Sequence, residues 1–429
     1  MPRVGLVGKN TSAYLNTLID IWNNGDCAVL ISWQVPPVML IQMLLDACVT
    51  CCYIAMDIYE KNDAFRQPSR IHFMPYEQHQ AAAVLLPCRI YDKFKPNYNK
   101  DEAVILYSSG TTGSAKGVIL THYAINTNAD AIITNMQATS EDCIYIVRTM
   151  SHASTLTGEI LVALKTKMRM VVAPEIALPR ACLTNIERFK VTFIGLNPAL
   201  LATYTTELIR SAYDVSALRA IYVGGSILDA DVYMSAKKAF DGKPIYNVYG
   251  LTEAGPRVTS AGRPLQGVSV AIIDENGNIA QYGAKGIVHI KTPSCFSGYV
   301  SGERSLLPLY EDWLNSGDVG YVDAEGYLHI VDRMDDVIII DAHKIYPTQV
   351  EAVINMYPDI KECIVKPFNC DGLVAGLRCE YVSNNADGTD ISAMVRKWCL
   401  TQLLPYEVPK QFVLVSEILR TPKGSVIRK

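Results

Sequence analysis

A loop of small and hydroxyl-bearing residues, set between two apolar runs, constrains this sequence more than any other stretch. Residues 103–122 read A-V-I-L-Y-S-S-G-T-T-G-S-A-K-G-V-I-L-T-H. The apolar runs predict two β-strands, and the residues between them predict a loop. Its glycines let the backbone approach a ligand closely, and its hydroxyl groups stand beside free backbone N–H groups. These residues are Ser108, Ser109, Gly110, Thr111, Thr112, Gly113, Ser114 and Gly117.

The charge of Lys116 favours a phosphate ligand for this loop over the alternative of an ordinary hairpin tip. The loop is not a Walker A motif, because in that motif Gly-Lys-Ser/Thr leads into a helix, whereas here Gly117 and a second apolar run follow the lysine. It resembles instead the phosphate-binding loop of the adenylate-forming superfamily. That superfamily contains acyl- and aryl-CoA ligases, adenylation domains of nonribosomal peptide synthetases and firefly-type luciferases. The resemblance implies that residues 108–113 and Lys116 bind the phosphates of ATP.

The size and composition of the chain exclude several classes of protein. With 429 residues the chain is longer than the length that a single hydrophobic core usually serves, so we expect two domains. Its net charge of −4 provides no basic surface, so we expect no nucleic-acid partner. The first residues lack the apolar core of a signal peptide, and apolar stretches are shorter than the roughly 20 residues of a membrane helix. We therefore expect neither secretion nor a membrane partner.

The cysteines and histidines show no metal-ligand spacing. The 12 cysteines are mostly scattered, and the single Cys-x-x-Cys, Cys48 to Cys51, lacks the second pair that a zinc site needs. Buried, reduced thiols are therefore the expectation, and they predict a cytoplasmic location.

Strands that alternate with helices over residues 4–57 predict a parallel sheet covered by helices on both faces. The resemblance implies an α/β fold: a large adenylation domain of parallel and mixed sheets flanked by helices, with a small antiparallel subdomain, followed by a small α+β lid domain. It places these domains at residues 1–334 and 335–429, with Asp335 as the hinge. Residues 59–100 are weakly patterned and are interpreted as a surface connection. The chain opens some way into the usual family pattern, so its N-terminus is expected to be truncated relative to relatives.

A second motif, Y-N-V-Y-G-L-T-E-A-G over residues 246–255, brings an aromatic ring, a glycine, a threonine and a carboxylate into close order. Tyr249 can stack on a purine, Thr252 can donate to phosphate, and Glu253 can hold a magnesium ion. The stretch matches the nucleotide and magnesium motif of the superfamily, which implies nucleotide contacts for Asn247 and Gly250 as well. Upstream, Gly225 and Ser226 would let the backbone approach a flat ligand, although a tight turn before a helix explains them equally well.

The ribose site of the superfamily resembles W-L-N-S-G-D-V-G-Y over residues 313–321. There Asp318 can accept hydrogen bonds from both ribose hydroxyls. Arg333, in V-D-R-M-D-D-V, stands where relatives use an arginine on ribose and phosphate, although a charged surface turn is the alternative for this stretch alone.

His152 lies among small residues, where a satisfied structural histidine and a functional one are equally plausible on sequence alone. In acyl- and aryl-CoA ligases a histidine often borders the acid tunnel at this point, whereas amino-acid-activating domains carry an aspartate. Residues 151–153 contain no carboxylate to pair with a substrate ammonium group. The expected substrate is therefore a small non-amino carboxylic acid, either an aryl acid or a fatty or short-chain acid.

The last motif departs from the family pattern. Relatives end in a Gly-Lys pair whose ammonium meets the substrate carboxylate, but here Ser425 follows Gly424. Loss of one such charge typically lowers a rate by about 10²- to 10³-fold. Lys423 can replace it from two residues upstream. Otherwise adenylation is slow, the chain mainly catalyses the second half-reaction, or it binds without turnover. Ala342 stands where relatives commonly carry glycine, and its added methyl group would crowd a pantetheine arm. The resemblance therefore supports the nucleotide more strongly than the thiol acceptor.

The resemblance implies ATP, Mg²⁺ and CoA, or a phosphopantetheinyl carrier protein in place of CoA, as cofactors and partners. In the implied reaction the acid forms an acyl-AMP, and a thiol then displaces AMP. A carrier-protein loading or amide-forming ligase is the enzymatic alternative. A nucleotide or acyl-ligand binder without turnover is the alternative from another class.

Overall fold

The structure is a computed structural model that describes residues 1–67, 69–77, 82–108, 116–173, 178–302, 312–340, 343–370, 373–384, 390–420 and 426. The chain divides into two compact units. Unit 1 contains residues 1–270 and 290–314, and unit 2 contains residues 271–289 and 315–429. The placement of a mobile lid after Asp335 stays a prediction.

The β-strands of the described residues follow one another in chain order. They are β1 Arg3–Gly8, β2 Cys27–Ser32, β3 Cys51–Ala55, β4 His72–Tyr76, β5 Val84–Leu85, β6 Glu102–Ser108, β7 Lys116–Thr121, β8 Cys143–Ile146, β9 Arg169–Val172, β10 Phe193–Leu196, β11 Ala220–Gly224, β12 Ile245–Tyr249, β13 Thr259–Ser260, β14 Arg263–Pro264, β15 Ser269–Ile273, β16 Gly286–Lys291, β17 Gly298–Tyr299, β18 Leu314–Val322, β19 Leu328–Arg333, β20 Ile338–Ile340, β21 His343–Ile345, β22 Ile360–Cys370, β23 Leu373–Ser383 and β24 Gln411–Leu414.

The α-helices connect these strands. They are α1 Ser12–Asn23, α2 Pro37–Asp46, α3 Met56–Tyr59, α4 Arg89–Lys93, α5 His122–Met136, α6 Ala153–Thr155, α7 Leu161–Thr166, α8 Pro179–Phe189, α9 Pro198–Arg210, α10 Ala230–Ala239, α11 Pro347–Asn355 and α12 Ser392–Gln402.

The first sheet of unit 1 has the order β17-β7-β6-β2-β1-β3-β4. Its central strands β6, β2, β1, β3 and β4 run parallel, as the alternation of strands and helices predicts. Strand β7 returns antiparallel to β6, so the two predicted strands are confirmed. Thr121 caps α5 as an N-cap, because its side-chain oxygen accepts a hydrogen bond from the backbone N–H of Ala124 over 3.1 Å.

The second sheet of unit 1 has the order β14-β13-β12-β11-β10-β8-β9-β5. Strands β12, β11, β10, β8 and β9 are parallel. Strands β11, β10 and β8 are fully buried, which is typical of parallel strands covered on both faces, whereas Tyr246 and Asn247 of β12 are exposed. Helices α8 and α9 pack on one face through buried side chains that include Leu183, Ile186 and Leu201. The carboxyl ends of five parallel strands therefore meet at one edge of this sheet.

Residues 59–100 contain more regular structure than the sequence predicts. Strand β4 pairs with β3 in parallel, and β5 pairs with β9. The interpretation as a surface connection is wrong for these segments, because their order comes from hydrogen bonds to distant strands rather than from their own weak pattern.

Unit 2 contains most of the sheet β15-β16-β18-β19, together with the hairpin β20-β21 and the sheet β22-β23-β24. Helices α11 and α12 pack on the last sheet around Val365, Cys379 and Tyr381, which are buried. The predicted α/β fold with a small antiparallel subdomain and an α+β region is confirmed.

The two cysteines Cys48 and Cys52 differ in their burial. Cys52 is buried and Cys51 is half-buried, but Cys48 is exposed at a left-handed turn after α2 and Cys88 is also exposed, so the expectation of buried thiols is wrong for Cys48 and Cys88.

No helix in the described part of the chain combines the length and apolar character that a bilayer crossing requires.

Candidate functional site

The nucleotide motif lies at the carboxyl edge of the second sheet. Strands β11 and β12 are parallel neighbours, with Gly224 opposite Val248. This register places Gly225, which follows β11, beside Tyr249, which ends β12. Gly225 has a φ of +98° and nothing within 4 Å of an added Cβ, so a glycine here leaves an open approach. Ligands of open α/β sheets bind at this edge.

Residues 249–257, called the motif turn, fold back tightly after β12. The backbone N–H of Val258 donates to the carbonyl of Tyr249 over 2.7 Å. A Cβ on Gly250 would collide with the carbonyl oxygen of Pro256 and lie 2.9 Å from the backbone nitrogen of Arg257, so only glycine fits there. The motif turn contains a 3₁₀ helix, Thr252–Ala254, which carries Glu253.

Glu253 and Lys116 meet on Tyr299. The Tyr299 hydroxyl donates a hydrogen bond to Oε1 of Glu253 over 3.0 Å. The Lys116 ammonium lies 5.3 Å from the centre of the Tyr299 ring, within the range of a cation–π contact. Strand β17 brings Tyr299 here, because it pairs antiparallel with β7 and sets Tyr299 opposite Val118. Unit 1 thus joins the end of the predicted phosphate loop to the predicted magnesium ligand.

Strands β6 and β7 bring the two ends of the glycine-rich loop together, since Ser108 pairs with Lys116. A Cβ on Gly117 would lie 2.8 Å from Cγ2 of Val300, so glycine allows β17 and its following residue to approach β7 closely. Ser109, Gly110, Thr111, Thr112 and Gly113 lie outside the described residues, as do Ala342, Lys423 and Ser425.

The chemistry of Glu253 fits a magnesium ion shared with substrate phosphates. Mg²⁺ is usually held by one or two protein carboxylates together with phosphate oxygens and water. Glu253 is half-buried, and the hydroxyl of Tyr299 bonds to only one of its two carboxylate oxygens. No cluster of three or more His, Cys, Asp or Glu side chains within the described ranges forms a metal cage. Glu253 is the residue that would hold the ion, which would supply charge stabilisation for the phosphates.

Three other predicted residues lie at this edge with accessible side chains. Ser226 is exposed next to Gly225, and Asn247 is exposed on β12. Thr252 is half-buried beside Glu253 in the 3₁₀ helix.

His152 is exposed and precedes the short helix α6. Its Nδ1 lies 3.2 Å from the Ser154 hydroxyl, and its backbone N–H donates to the carbonyl of Thr149. It follows β8 in the same sheet as the motif turn, at the carboxyl edge. A role beside the acid stays a prediction.

Unit 2 brings Asp318 and Arg333 together across strands β18 and β19, where the two residues are opposite each other. Nη1 of Arg333 donates to Oδ1 of Asp318 over 2.7 Å. Gly317 has a φ of +70°, and a Cβ on it would lie 3.2 Å from Nη2 of Arg333. Asp318 is 6% exposed, and its backbone N–H donates to the Ser316 hydroxyl. The predicted ribose ligands therefore form one preorganised ion pair.

Sequence reasoning missed Tyr299 as a site residue. Its stretch F-S-G-Y is an ordinary turn in the sequence, and its partner Glu253 lies 46 residues earlier. The signal that could have identified it is the short strand β17, Gly298–Tyr299, which pairs with β7 just after the glycine-rich loop.

Comparison with known proteins agrees with this geometry. The family described as AMP-binding enzyme matches residues 2–300. A feruloyl-CoA synthase from Amycolatopsis sp is 27% identical over 99% of this chain and 87% of its own length. A 4-coumarate–CoA ligase-like protein from Arabidopsis thaliana is 28% identical over 77% of this chain, and the match spans 62% of that relative.

Two solved structures are similar in fold. An anthranilate CoA ligase in complex with anthranoyl-AMP has a TM-score of 0.84 at 19% identity, with 99% of this chain and 86% of that chain covered. An O-succinylbenzoate coenzyme A synthetase from Bacillus subtilis in complex with ATP and magnesium ion has a TM-score of 0.84 at 20% identity, with 100% and 88% covered.

Proposed function

Because the chain belongs to the AMP-binding enzyme family of the adenylate-forming superfamily, we propose that it activates a non-amino carboxylic acid with ATP and transfers the acyl group to CoA. The names of the relatives, a feruloyl-CoA synthase and a 4-coumarate–CoA ligase-like protein, support CoA as the thiol acceptor. The complexes of the similar structures, with ATP and magnesium or with an acyl-AMP, support the first step.

In the first step an oxygen of the acid carboxylate attacks the α-phosphorus of ATP. The bond from that phosphorus to the bridging oxygen breaks, and pyrophosphate leaves. Both reactants are anions, so the site must offset repulsion between them and stabilise the charge that moves to pyrophosphate. Lys116 supplies a positive charge, Thr252 a hydroxyl donor and Glu253 the ligand for magnesium.

Tyr249 and Asp318 are assigned to the nucleoside by the resemblance to the superfamily. Tyr249 offers a ring for the adenine, with Gly225 leaving room beside it. Asp318 accepts from the ribose hydroxyls, and Arg333 holds the Asp318 carboxylate in place.

In the second step the sulfur of CoA attacks the acyl carbon. The bond from that carbon to the AMP oxygen breaks, AMP leaves, and the thiol proton passes to solvent. This step requires a rearrangement after adenylation, for which Asp335 is the proposed hinge; it lies in a short 3₁₀ helix, Met334–Asp336, within unit 2.

The substrate class follows from a missing counter-charge. An α-amino acid would bring an ammonium group to the segment around His152, and residues 151–153 offer no carboxylate for it. His152 is the residue we assign to the border of the acid pocket.

The observation that carries the proposal is the joining of Glu253 and Lys116 through Tyr299. A carboxylate and an ammonium that contact one tyrosine, beside the motif turn, form an arrangement that suits a magnesium-bound polyphosphate.

The test is acid-dependent exchange of labelled pyrophosphate into ATP, across aryl, short-chain and fatty acids. Exchange with a non-amino acid is expected, and binding of ATP without exchange for every acid would contradict the first step. Offering CoA, a phosphopantetheinyl carrier protein or an amine to the preformed acyl-AMP then identifies the acceptor. Acyl-CoA is the expected product.

A further inference from the structure

Two buried charged side chains, Glu159 and Arg257, and the partly buried Arg148 lie together in unit 1, and none of them is assigned to the nucleotide. Glu159 is 1% exposed and Arg257 is 4% exposed. Nη2 of Arg148 donates a hydrogen bond to Oε1 of Glu159. Oε2 of Glu159 and Nη1 of Arg257 have no hydrogen-bond partner among the residues that the structure describes. We call Arg148, Glu159 and Arg257 the charge cluster.

The charge cluster carries one excess positive charge. Arg148 and Glu159 form an ion pair, so within the described part of the chain the guanidinium of Arg257 shares this carboxylate rather than having one of its own. It contacts the ring of Tyr222, whose centre lies 4.4 Å from Cζ. Burial lowers the pKa of Arg257 to about 10, so the group still carries its charge at neutral pH. A buried charge without a full counter-charge is costly, so proteins rarely keep one without a use.

The cluster lies along the segments that the proposed reaction uses. Arg148 follows β8, and Glu159 lies in a π-helical turn, Leu156–Ile160, that begins four residues after His152. Arg257 closes the motif turn, four residues after Glu253. Turns of π-helix are frequent at functional sites, and the carboxyl edge of the sheet is where ligands bind. The cluster is thus built from the two segments assigned to the acid and to the phosphates.

The glycine at position 195 leaves the space that the cluster occupies. A Cβ on Gly195 of β10 would collide with Oε1 of Glu159 and lie 2.8 Å from Nη2 of Arg148. A Cβ on Gly158 would lie 3.4 Å from Nη2 of Arg257. A larger residue at Gly195 could not coexist with the ion pair, so the backbone at this edge is fitted to charged side chains rather than to an apolar core.

We propose that Arg257 recognises a second carboxylate on the acid substrate, so that dicarboxylic acids are the preferred substrates. This inference rests on the proposed function and names its substrate class. The second carboxylate supplies a negative charge that the described residues do not give Arg257 in full, and its two oxygens match the paired N–H groups of a guanidinium. Because Nη1 is enclosed in this structure, the substrate reaches it after a rotation of the Arg257 side chain, which its long flexible stem allows.

The test compares acids that differ in one carboxylate. Adipic acid is matched with hexanoic acid, and terephthalic acid with benzoic acid. For each acid kcat/KM is measured by pyrophosphate release with the wild type, Arg257→Met, Arg257→Lys and a control, Arg188→Met. Arg188 is exposed on α8 and stacks on Phe189, so its replacement reports the effect of losing an arginine elsewhere in unit 1.

We expect the wild type to prefer the diacid of at least one pair. Arg257→Met should lower kcat/KM for that diacid by about 10- to 100-fold and leave or raise kcat/KM for the matched monoacid. Arg257→Lys, which keeps the charge without the paired donors, should fall in between, and Arg188→Met should match the wild type. If Arg257→Met does not fold, a lowered diacid preference in Arg257→Lys supports the proposal on its own.

Preference of the wild type for monoacids, or an equal loss for both acids of a pair in both Arg257 variants, would overturn the inference. Should no acid release pyrophosphate, the proposed function fails, and calorimetric binding in the presence of AMP still decides the inference. Adipate or terephthalate binding that is lost in Arg257→Met supports it. Absent or unchanged binding overturns it.

Discussion

Tyr299 donates a hydrogen bond to Oε1 of Glu253 over 3.0 Å, although 46 residues separate them in the chain. The same ring lies 5.3 Å from the Lys116 ammonium. One side chain therefore orients the proposed magnesium ligand and contacts the cation that ends the proposed phosphate loop. Groups that are already in position can stabilise the charge that develops in the transition state without having to reorganise during the reaction.

Replacing Tyr299 with phenylalanine removes the hydrogen bond to Glu253 and keeps the ring beside Lys116. We expect the rate of pyrophosphate exchange to fall about 10-fold, which corresponds to one hydrogen bond to a charged group. Tyr299→Leu removes the cation–π contact as well and should lower the rate further. Rates for both variants equal to the wild type would show that Tyr299 does not position Glu253.

The ion pair between Asp318 and Arg333 predicts a defect in nucleotide affinity. Asp318→Ala removes the proposed acceptor of the ribose hydroxyls and takes this carboxylate away from Arg333. We expect the Kd for AMP, measured by calorimetry, to rise about 10- to 100-fold. Asp312→Ala, which removes an exposed ion pair with Lys291, is the control and should leave the Kd unchanged. Equal affinity in Asp318→Ala would remove Asp318 from the site.

Asp142 predicts how stability depends on pH. Burial raises its pKa and is the largest single effect, but hydrogen bonds from Arg219, Thr139 and Thr192 together outweigh it, so the pKa lies below its usual range. A carboxyl with a lowered folded pKa stabilises the fold above its unfolded pKa of about 3.9, and this contribution disappears as the pH falls through the folded pKa.

Asp142→Asn should therefore lower the free energy of unfolding by about 1–3 kcal/mol at pH 6. The difference from the wild type should shrink as the pH is lowered below about 4. Urea unfolding at both pH values measures it. A difference that stays constant with pH would mean that the Asp142 charge contributes nothing.

Ser425 stands where relatives carry a catalytic lysine, and this position predicts a gain of rate. Ser425→Lys should increase adenylation by up to about 10²-fold if the missing charge limits turnover. The measurement is pyrophosphate exchange with the best acid. No gain would favour Lys423 as the group that supplies the charge, and loss of exchange in Lys423→Met would then confirm its role.

The fold could be predicted where the chain carries strong local patterns. The apolar runs flanking the glycine-rich loop predicted strands β6 and β7, and the alternation before them predicted a parallel sheet. Strand β4 escaped prediction because H-F-M-P-Y contains a proline and little alternation, and it is ordered by pairing with β3.

The candidate site was predictable only in part, for a related reason. Tyr249 and Glu253 share one short motif, so their proximity follows from local chain geometry. Tyr299 and the cluster of Arg148, Glu159 and Arg257 depend on contacts between distant segments, which no local pattern reports. In a sequence, the sign of such a cluster is a charged residue within an apolar stretch, because charged residues are rarely buried.

Glu253→Ala in the pyrophosphate-exchange assay is the decisive experiment for the proposed magnesium and ATP site. We expect acid-dependent exchange to be abolished while the circular dichroism spectrum and melting temperature stay those of the wild type. Glu187→Ala, which changes an exposed carboxylate of α8, should exchange at the wild-type rate. Unchanged exchange in Glu253→Ala would contradict the assignment of this edge of the sheet to magnesium and ATP.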